Sequence, residues 1–249
     1  MLDHVYRALL AAPELRLAGT HRQQLHARGL DDASIELDMY RSLPARCRAG
    51  MVRRLQKRFD TELLLTVPGI VVKDGPHGRY LTVSGLPGLL VPVVSVAEQM
   101  VGVVVRPDDP GEGGKYRWLS TGNAGARVHV PAGNKASARA VIVEGSLKAN
   151  VCVALADADE NVSGRAIIGL PGCIVTTEAI STLRELDCRD VLLALDADVR
   201  TNPTVARAQR DGLALLNRSG FTGGILCWPA DGGKGLDDLL LTMHMEAVA

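Results

Sequence analysis

From residue 139 onward, short β-branched apolar runs alternate with longer segments whose apolar residues recur at helical spacing. Residues 140–143 and 191–195 are nearly uninterrupted apolar runs, the pattern of strands buried on both faces of a parallel sheet, and residues 166–170 and 224–228 read as two further strands. Residues 146–156, a segment beginning near Thr176 or Thr177, residues 203–219 stopped by Gly220, and a terminal segment from Leu236 read as the intervening helices. Strand and helix in alternation predict parallel pairing with right-handed crossovers.

The N-terminal part follows another pattern. Residues 3–17 carry helical spacing broken by Pro13, and residues 21–28 form a helical unit closed by Gly29. Asp31 or Asp32 can cap a further helix over 33–41, and an arginine-rich helix is expected over 47–59. Residues 68–88 are rich in Gly and Pro and contain short alternating pieces at 70–72 and 80–83, as in a hairpin. Residues 89–94 and 100–106 then read as an antiparallel pair turning at 95–99. The expected division is a helical segment (1–66), a mixed α+β basic subdomain (67–138) and an α/β domain (139–249).

Charge changes this picture only locally, because 28 Lys and Arg balance 28 Asp and Glu across the 249 residues. Between Arg41 and Arg58 lie Arg41, Arg46, Arg48, Arg53, Arg54, Lys57 and Arg58 with no acid, which is either a solvated helix face or a phosphate-contacting patch. The five cysteines are scattered without C-x-x-C spacing and read as buried thiols of a reducing compartment. The six histidines form no metal motif, and His21 and His26 fall on a helix. No apolar run approaches the roughly 20 residues that span a bilayer, and the N-terminus lacks a signal-peptide plan, so a soluble cytoplasmic protein with no membrane partner is expected.

Candidate chemistry gathers at the strand ends. Glu144 follows the first apolar run, and Asp196 and Asp198 follow the third; ligands of open parallel sheets collect outside the carboxyl ends of strands. Asp196 and Asp198 share a side if the extended backbone persists to Asp198. Oxygen donors without Cys or His favour Mg²⁺ or Mn²⁺ over zinc, and such an ion suits reactions at phosphate. Asp231, Asp237 and Asp238 add acids after the last run; the latter two lie in a helix's first turn, where the dipole alone favours them. Lys115, Tyr116, Arg117 and Trp118 interleave cations with aromatics, as in a site for phosphate and base, or as in an ordinary edge strand.

Glu144-Gly145 and Asp196-Ala197-Asp198, separated by a βα unit, resemble the two signatures of the Toprim domain, the metal-binding α/β module of DnaG-type primases, topoisomerases, OLD-family nucleases and RecR-type repair proteins. The primases resemble the chain over its greatest length, from about His21 to Leu240. They share a pattern like Leu25-x-x-Arg28-Gly29-Leu30, a strand pair like residues 89–93 and 101–106, and a basic motif like Lys115-Tyr116-Arg117-Trp118-Leu119-Ser120. Glu144-Gly145-x-x-Lys148-Ala149 and Lys234-Gly235-Leu236-Asp237-Asp238 also resemble a Toprim-like domain (the DUF3854 type) of phage, plasmid and mobile-element replication proteins.

The resemblance implies a Toprim-type parallel sheet flanked by helices, preceded by a small helical segment and a mixed α+β subdomain. It further implies metal-dependent primer synthesis on a single-stranded DNA template from nucleoside triphosphates. By that resemblance Asp196, Asp198 and Asp237 are the metal candidates with Mg²⁺ or Mn²⁺, and Glu144 is the general base or a further ligand. Arg106, Lys115, Tyr116, Arg117, Trp118 and Lys148 would hold template or nucleotide. A replicative helicase or another replication protein would supply template choice and unwinding. Lys148 departs from the primase pattern, which has Asp four residues after the motif Glu. A metal-dependent nuclease and a non-catalytic single-strand-binding module are the alternatives, and Lys148 favours the latter.

Overall fold

Residues 1–119, 127–134, 136–229 and 231–248 are described by a computed structural model, in which the chain forms two units. Unit 1 comprises Met1–Gln24, Ile35–Val93 and Gln99–Ala126; unit 2 comprises Leu25–Ser34, Val94–Glu98 and Arg127–Ala249.

The first helices are α1 (Leu2–Leu10), α2 (Gly19–His26) and α3 (Asp32–Leu37). The helix expected over 33–41 ends at Leu37: Met39 takes φ +55°, and β1 (Arg41–Leu43) pairs antiparallel with β4 (Gly88–Val94). Burial of Leu43 in that pairing overrides the helical propensity of the segment. The arginine-rich helix is also shorter than expected, α4 (Arg48–Leu55), and is followed by α5 (Thr61–Thr66), which the sequence pattern did not predict. The predicted hairpin is present as β2 (Ile70–Gly75) and β3 (Gly78–Val83), antiparallel from Ile70↔Val83 to Gly75↔Gly78. β5 (Met100–Pro107) and β6 (Arg117–Trp118) complete a sheet of order β1-β4-β5-β6. The core of unit 1 gathers Tyr6, Leu9, Met51, Val52, Leu64, Leu90, Val103 and Leu119. The buried positions of α4 are Met51, Val52 and Leu55, leaving Arg53 and Arg54 on the outside.

Unit 2 carries the predicted parallel sheet, but its last strand runs Thr222–Ile225 rather than 224–228 and is a partly exposed edge strand. β7 (Arg139–Glu144), β8 (Ala166–Leu170), β9 (Asp190–Ala194) and β10 (Thr222–Ile225) pair in parallel in the order β10-β9-β7-β8. Between and after them run α6 (Ser146–Ala154), α7 (Thr177–Glu185), α8 (Pro203–Arg218) and α9 (Leu236–Ala247). Thr176 caps α7 by accepting from the Ala179 N–H, and Asn202 caps α8 by accepting from the Thr204 N–H. Ile142, Ile168, Leu170, Leu183, Leu193 and Leu216 belong to the core between sheet and helices. Burial in this core, rather than helix propensity, fixes the strand ends where the candidate residues sit.

The cysteines correct one expectation. Cys152 and Cys188 are buried, but Cys173 is half-buried and Cys47 and Cys227 are exposed. Among the described residues no helix is long and apolar enough to cross a membrane.

Candidate functional site

Glu144 is the last residue of β7, the inner strand between β8 and β9. Gly145 then takes φ +94°, a conformation that costs an L side chain strain, and its N–H donates to the Leu170 carbonyl at 2.7 Å. This turn starts α6 at once and places Lys148 on its first turn. β9 ends beside β7, with Ala194 opposite Val143.

Extended backbone does not persist to Asp198. The chain enters a 3₁₀ turn at Ala197–Arg200, closed by the Val199 N–H on the Asp196 carbonyl, while the Ala197 N–H donates to the Lys234 carbonyl. The two aspartates consequently occupy different environments: Asp196 is buried, and the Asp198 side chain is half exposed. They are joined through lysines. Lys148 Nζ is bonded to Asp196 Oδ1, and Lys234 Nζ lies 2.7 Å from Asp198 Oδ2 and 3.8 Å from Asp196 Oδ2.

Asp237, in the first turn of α9, is 3% exposed. Arg28 Nη1 donates to its Oδ2 at 3.0 Å, whereas its Oδ1 is buried and has no hydrogen-bond partner among the described residues. Asp238 accepts the N–H groups of Lys234 and Gly235, each at 3.0 Å, and so caps the helix. Gly235 permits the cluster to close. A Cβ there would collide with Asp237 Oδ1 and lie 2.9 Å from Lys148 Nζ and 3.3 Å from Asp196 Oδ1, so all three groups surround its Cα.

Burial raises the Glu144 carboxyl above the ordinary range, and the neighbouring Asp196 charge raises it further against the opposing pull of Lys148 and Lys234. Burial likewise raises Asp237, with Lys148 and Arg28 pulling the other way. Lys234 is held more basic than usual, chiefly by its bond to Asp198. Among the described residues, no three His, Cys, Asp or Glu side chains converge as a ligand set. With ammonium groups on Asp196 and Asp198, these carboxylates as arranged do not fit a directly coordinated Mg²⁺ or Mn²⁺.

The remaining predicted residues belong to unit 1. Arg106 Nη1 donates to Gln24 Oε1 at 3.3 Å. Arg117 and Trp118 form the edge strand β6, so the edge-strand reading holds for these two; Arg117 Nη2 donates to the Pro110 carbonyl, and the Trp118 ring packs on Gly102. Lys115 and Tyr116 precede the strand and are exposed. Ser120 lies outside the described residues.

Three residues of unit 2 had no site role in the sequence reading: Lys234, Arg28 and His129. The Val94 N–H donates to His129 Nδ1 at 3.0 Å, which leaves the ring proton on Nε2 to donate to Asn150 Oδ1 at 2.7 Å. Burial pushes the imidazole down to about 4, so it is neutral at ordinary pH. Asn150 lies two residues beyond Lys148 on α6, making His129 a positioning residue for that helix. The available signal for Lys234 and Arg28 was electrostatic: buried acids need nearby cations.

No family profile matches the sequence, and no curated protein does. Solved structures do match. The *Aquifex aeolicus* primase, zinc-binding and RNA polymerase domains, superposes with TM-score 0.72 at 15% identity, over 99% of this chain and 58% of that one. A DnaG primase catalytic domain bound to single-stranded DNA gives 0.69 at 17%, over 99% and 79%. The RNA polymerase domain of *Mycobacterium tuberculosis* DnaG with double-stranded DNA gives 0.67 at 19%, over 98% and 78%. The chain thus spans less than two thirds of the first of these, and at such identities the likeness concerns architecture. The fold of this chain is that of DnaG-type primase catalytic cores.

Proposed function

We propose that the chain is a primase-type core that holds a single-stranded DNA template and nucleoside triphosphates and joins nucleotides. The observation that carries this reading is the match to primase cores over nearly the whole chain, with Glu144 at the end of the strand beside the one leading to Asp196. Glu144, made more basic by burial, accepts the proton of the attacking hydroxyl. Lys234, half exposed, is the cation of the cluster best placed to meet a phosphate from solvent. Arg106, Lys115, Tyr116, Arg117 and Trp118 are assigned to template and nucleotide. The phage, plasmid or mobile-element setting, with a helicase or other replication protein as partner, belongs to the same proposal and rests on motif resemblance.

Mg²⁺ or Mn²⁺ held by Asp196, Asp198 and Asp237 would require Lys148 to leave Asp196 and Lys234 to leave Asp198. The Lys148–Asp196 bond favours a second reading, a strand-binding replication module without catalysis. Incubation with single-stranded DNA, nucleotides and Mg²⁺ or Mn²⁺ decides between them. Primer synthesis that disappears in Glu144→Gln supports the enzyme. Strand binding unaffected by chelator, with no product, supports the module. Loss of a labelled strand without added nucleotides would instead identify a nuclease.

A further inference from the structure

The arginine-rich run at 41–58 is not a uniform solvated face. Arg41 donates to Glu36, Arg54 donates to Glu14, and Arg48 donates to the carbonyls of Pro44 and Gly85. These three are committed to the fold of unit 1. Arg53 differs: among the described residues its side chain forms no hydrogen bond or ion pair, and it is exposed. It lines a groove of about 810 Å³ between α4, α5 and the β2–β3 hairpin.

The walls of this groove have a defined chemistry. Arg53 comes from α4 and Gln56 from just after it, Leu65 from α5, and His77, Arg79 and Tyr80 from the hairpin; among the described residues no Asp or Glu lines it. The acid nearest Arg79 is Asp74, 3.9 Å away, and both side chains are largely exposed, so the pairing neutralises little of the Arg79 charge. Tyr80 is 42% exposed and Leu65 45%. Tyr80 is also held in place, because its ring lies against Gly75, where a Cβ would come within 2.9 Å of Cε1. A fixed aromatic face beside two guanidiniums, one without an acid partner and one only weakly paired, supplies both elements that bind single strands: a stacking platform and a cationic track.

We propose that this groove is a binding site for a short segment of single-stranded nucleic acid, separate in sequence from the Lys115–Trp118 stretch. A base stacks on Tyr80, and the flanking phosphates meet Arg53 and Arg79. An acidic peptide would satisfy the arginines but leave the fixed ring unused, which is why the strand is the favoured occupant. The inference goes beyond the reading of the acid cluster and needs no catalysis.

The test uses the full chain carrying Lys115→Ala and Arg117→Ala, so that the other candidate stretch is disabled, and a thymidine hexanucleotide containing 4-thiothymidine. Photo-crosslinking and peptide mapping are expected to place the adduct within residues 77–81. Arg53→Ala with Arg79→Ala should reduce the slope of log affinity against log salt by about 1.4, the share of two phosphate contacts on a single strand. Tyr80→Ala should weaken binding by about tenfold or more, with Tyr80→Phe retaining it. All three side chains are exposed, and circular dichroism checks that each variant keeps its fold. An adduct elsewhere, an unchanged salt slope, or a polyglutamate hexapeptide that binds the groove as tightly as the oligonucleotide would overturn the proposal. Failure of primer synthesis leaves every one of these readings intact, so the two proposals fail separately.

Discussion

Replacing Lys148 with alanine removes one of the three cations of the acid cluster. Asp196, whose side chain is 10% exposed, loses the ammonium on Oδ1 and keeps Lys234 at 3.8 Å from Oδ2. Removing one partner of a buried ion pair destabilises by ~3–5 kcal/mol. The Lys148 side chain is 20% exposed and Lys234 remains, so a loss near ~2–3 kcal/mol is expected. With every group ionised, the four carboxylates of Glu144, Asp196, Asp198 and Asp237 face Arg28, Lys148 and Lys234, leaving one uncompensated negative charge; the variant leaves two. Mn²⁺ should therefore stabilise Lys148→Ala, by ~2.7 kcal/mol once free ion reaches about 100 times its dissociation constant. The wild-type protein and Lys148→Arg should respond little. Urea unfolding with Mn²⁺ or with chelator measures this, followed by Trp228 fluorescence in a Trp118→Phe background; Trp228 is buried and donates to the Gly233 carbonyl, close in sequence to Lys234. Equal Mn²⁺ responses in wild type and Lys148→Ala would refute the idea that the ammonium excludes the ion.

The remaining expectations are narrower. His129 titrates near 4 in the folded chain against 6.5 when solvated, so the unfolded state binds more protons between these values. Its contribution is complete above about pH 6.5 and is lost as pH falls toward 4, by about 3 kcal/mol in all; the wild-type minus His129→Gln stability difference should trace this, and a difference independent of pH would contradict it. Asp238→Ala frees the backbone N–H groups of Lys234 and Gly235 just ahead of α9 and should lower stability by ~1 kcal/mol in thermal unfolding while leaving strand affinity unchanged. If Glu144 is the base, nucleotide addition rises with pH through a limb above the range of a solvated glutamate, and a pH–rate profile with its limb at the ordinary position would argue against that role.

The parts of this chain legible in sequence are those set by local pattern. Val141, Ile142 and Val143 announce a buried strand, and Pro203 to Ser219 a helix stopped by Gly220, and each is where the pattern puts it. Arg41 and Asp198 were misread for one reason. Local propensity allowed a helix through Arg41 and an extended chain through Asp198, but pairing with β4 took the first into a strand and a 3₁₀ turn bent the second away. Neither partner is near in sequence: Arg41 pairs with Leu90, and the Ala197 N–H bonds the carbonyl of Lys234.

The same distance hid the character of the acid cluster. Glu144, Asp196, Asp198 and Asp237 are visible as strand-end and helix-start acids, yet their separate environments depend on Arg28, Lys148 and Lys234, drawn from three remote segments. Gly235 shows how tightly that assembly constrains the chain, since any larger residue would push into Asp237 while approaching Lys148 and Asp196. A lysine tethered to α6 has a fixed address, whereas a dissolved ion does not, and α6 is itself held through Asn150 by the neutral ring of His129. His129→Gln should consequently loosen the Lys148–Asp196 contact without altering either charge. Its Mn²⁺ response should fall between those of wild type and Lys148→Ala, and a response identical to wild type would mean that the helix is placed by packing alone.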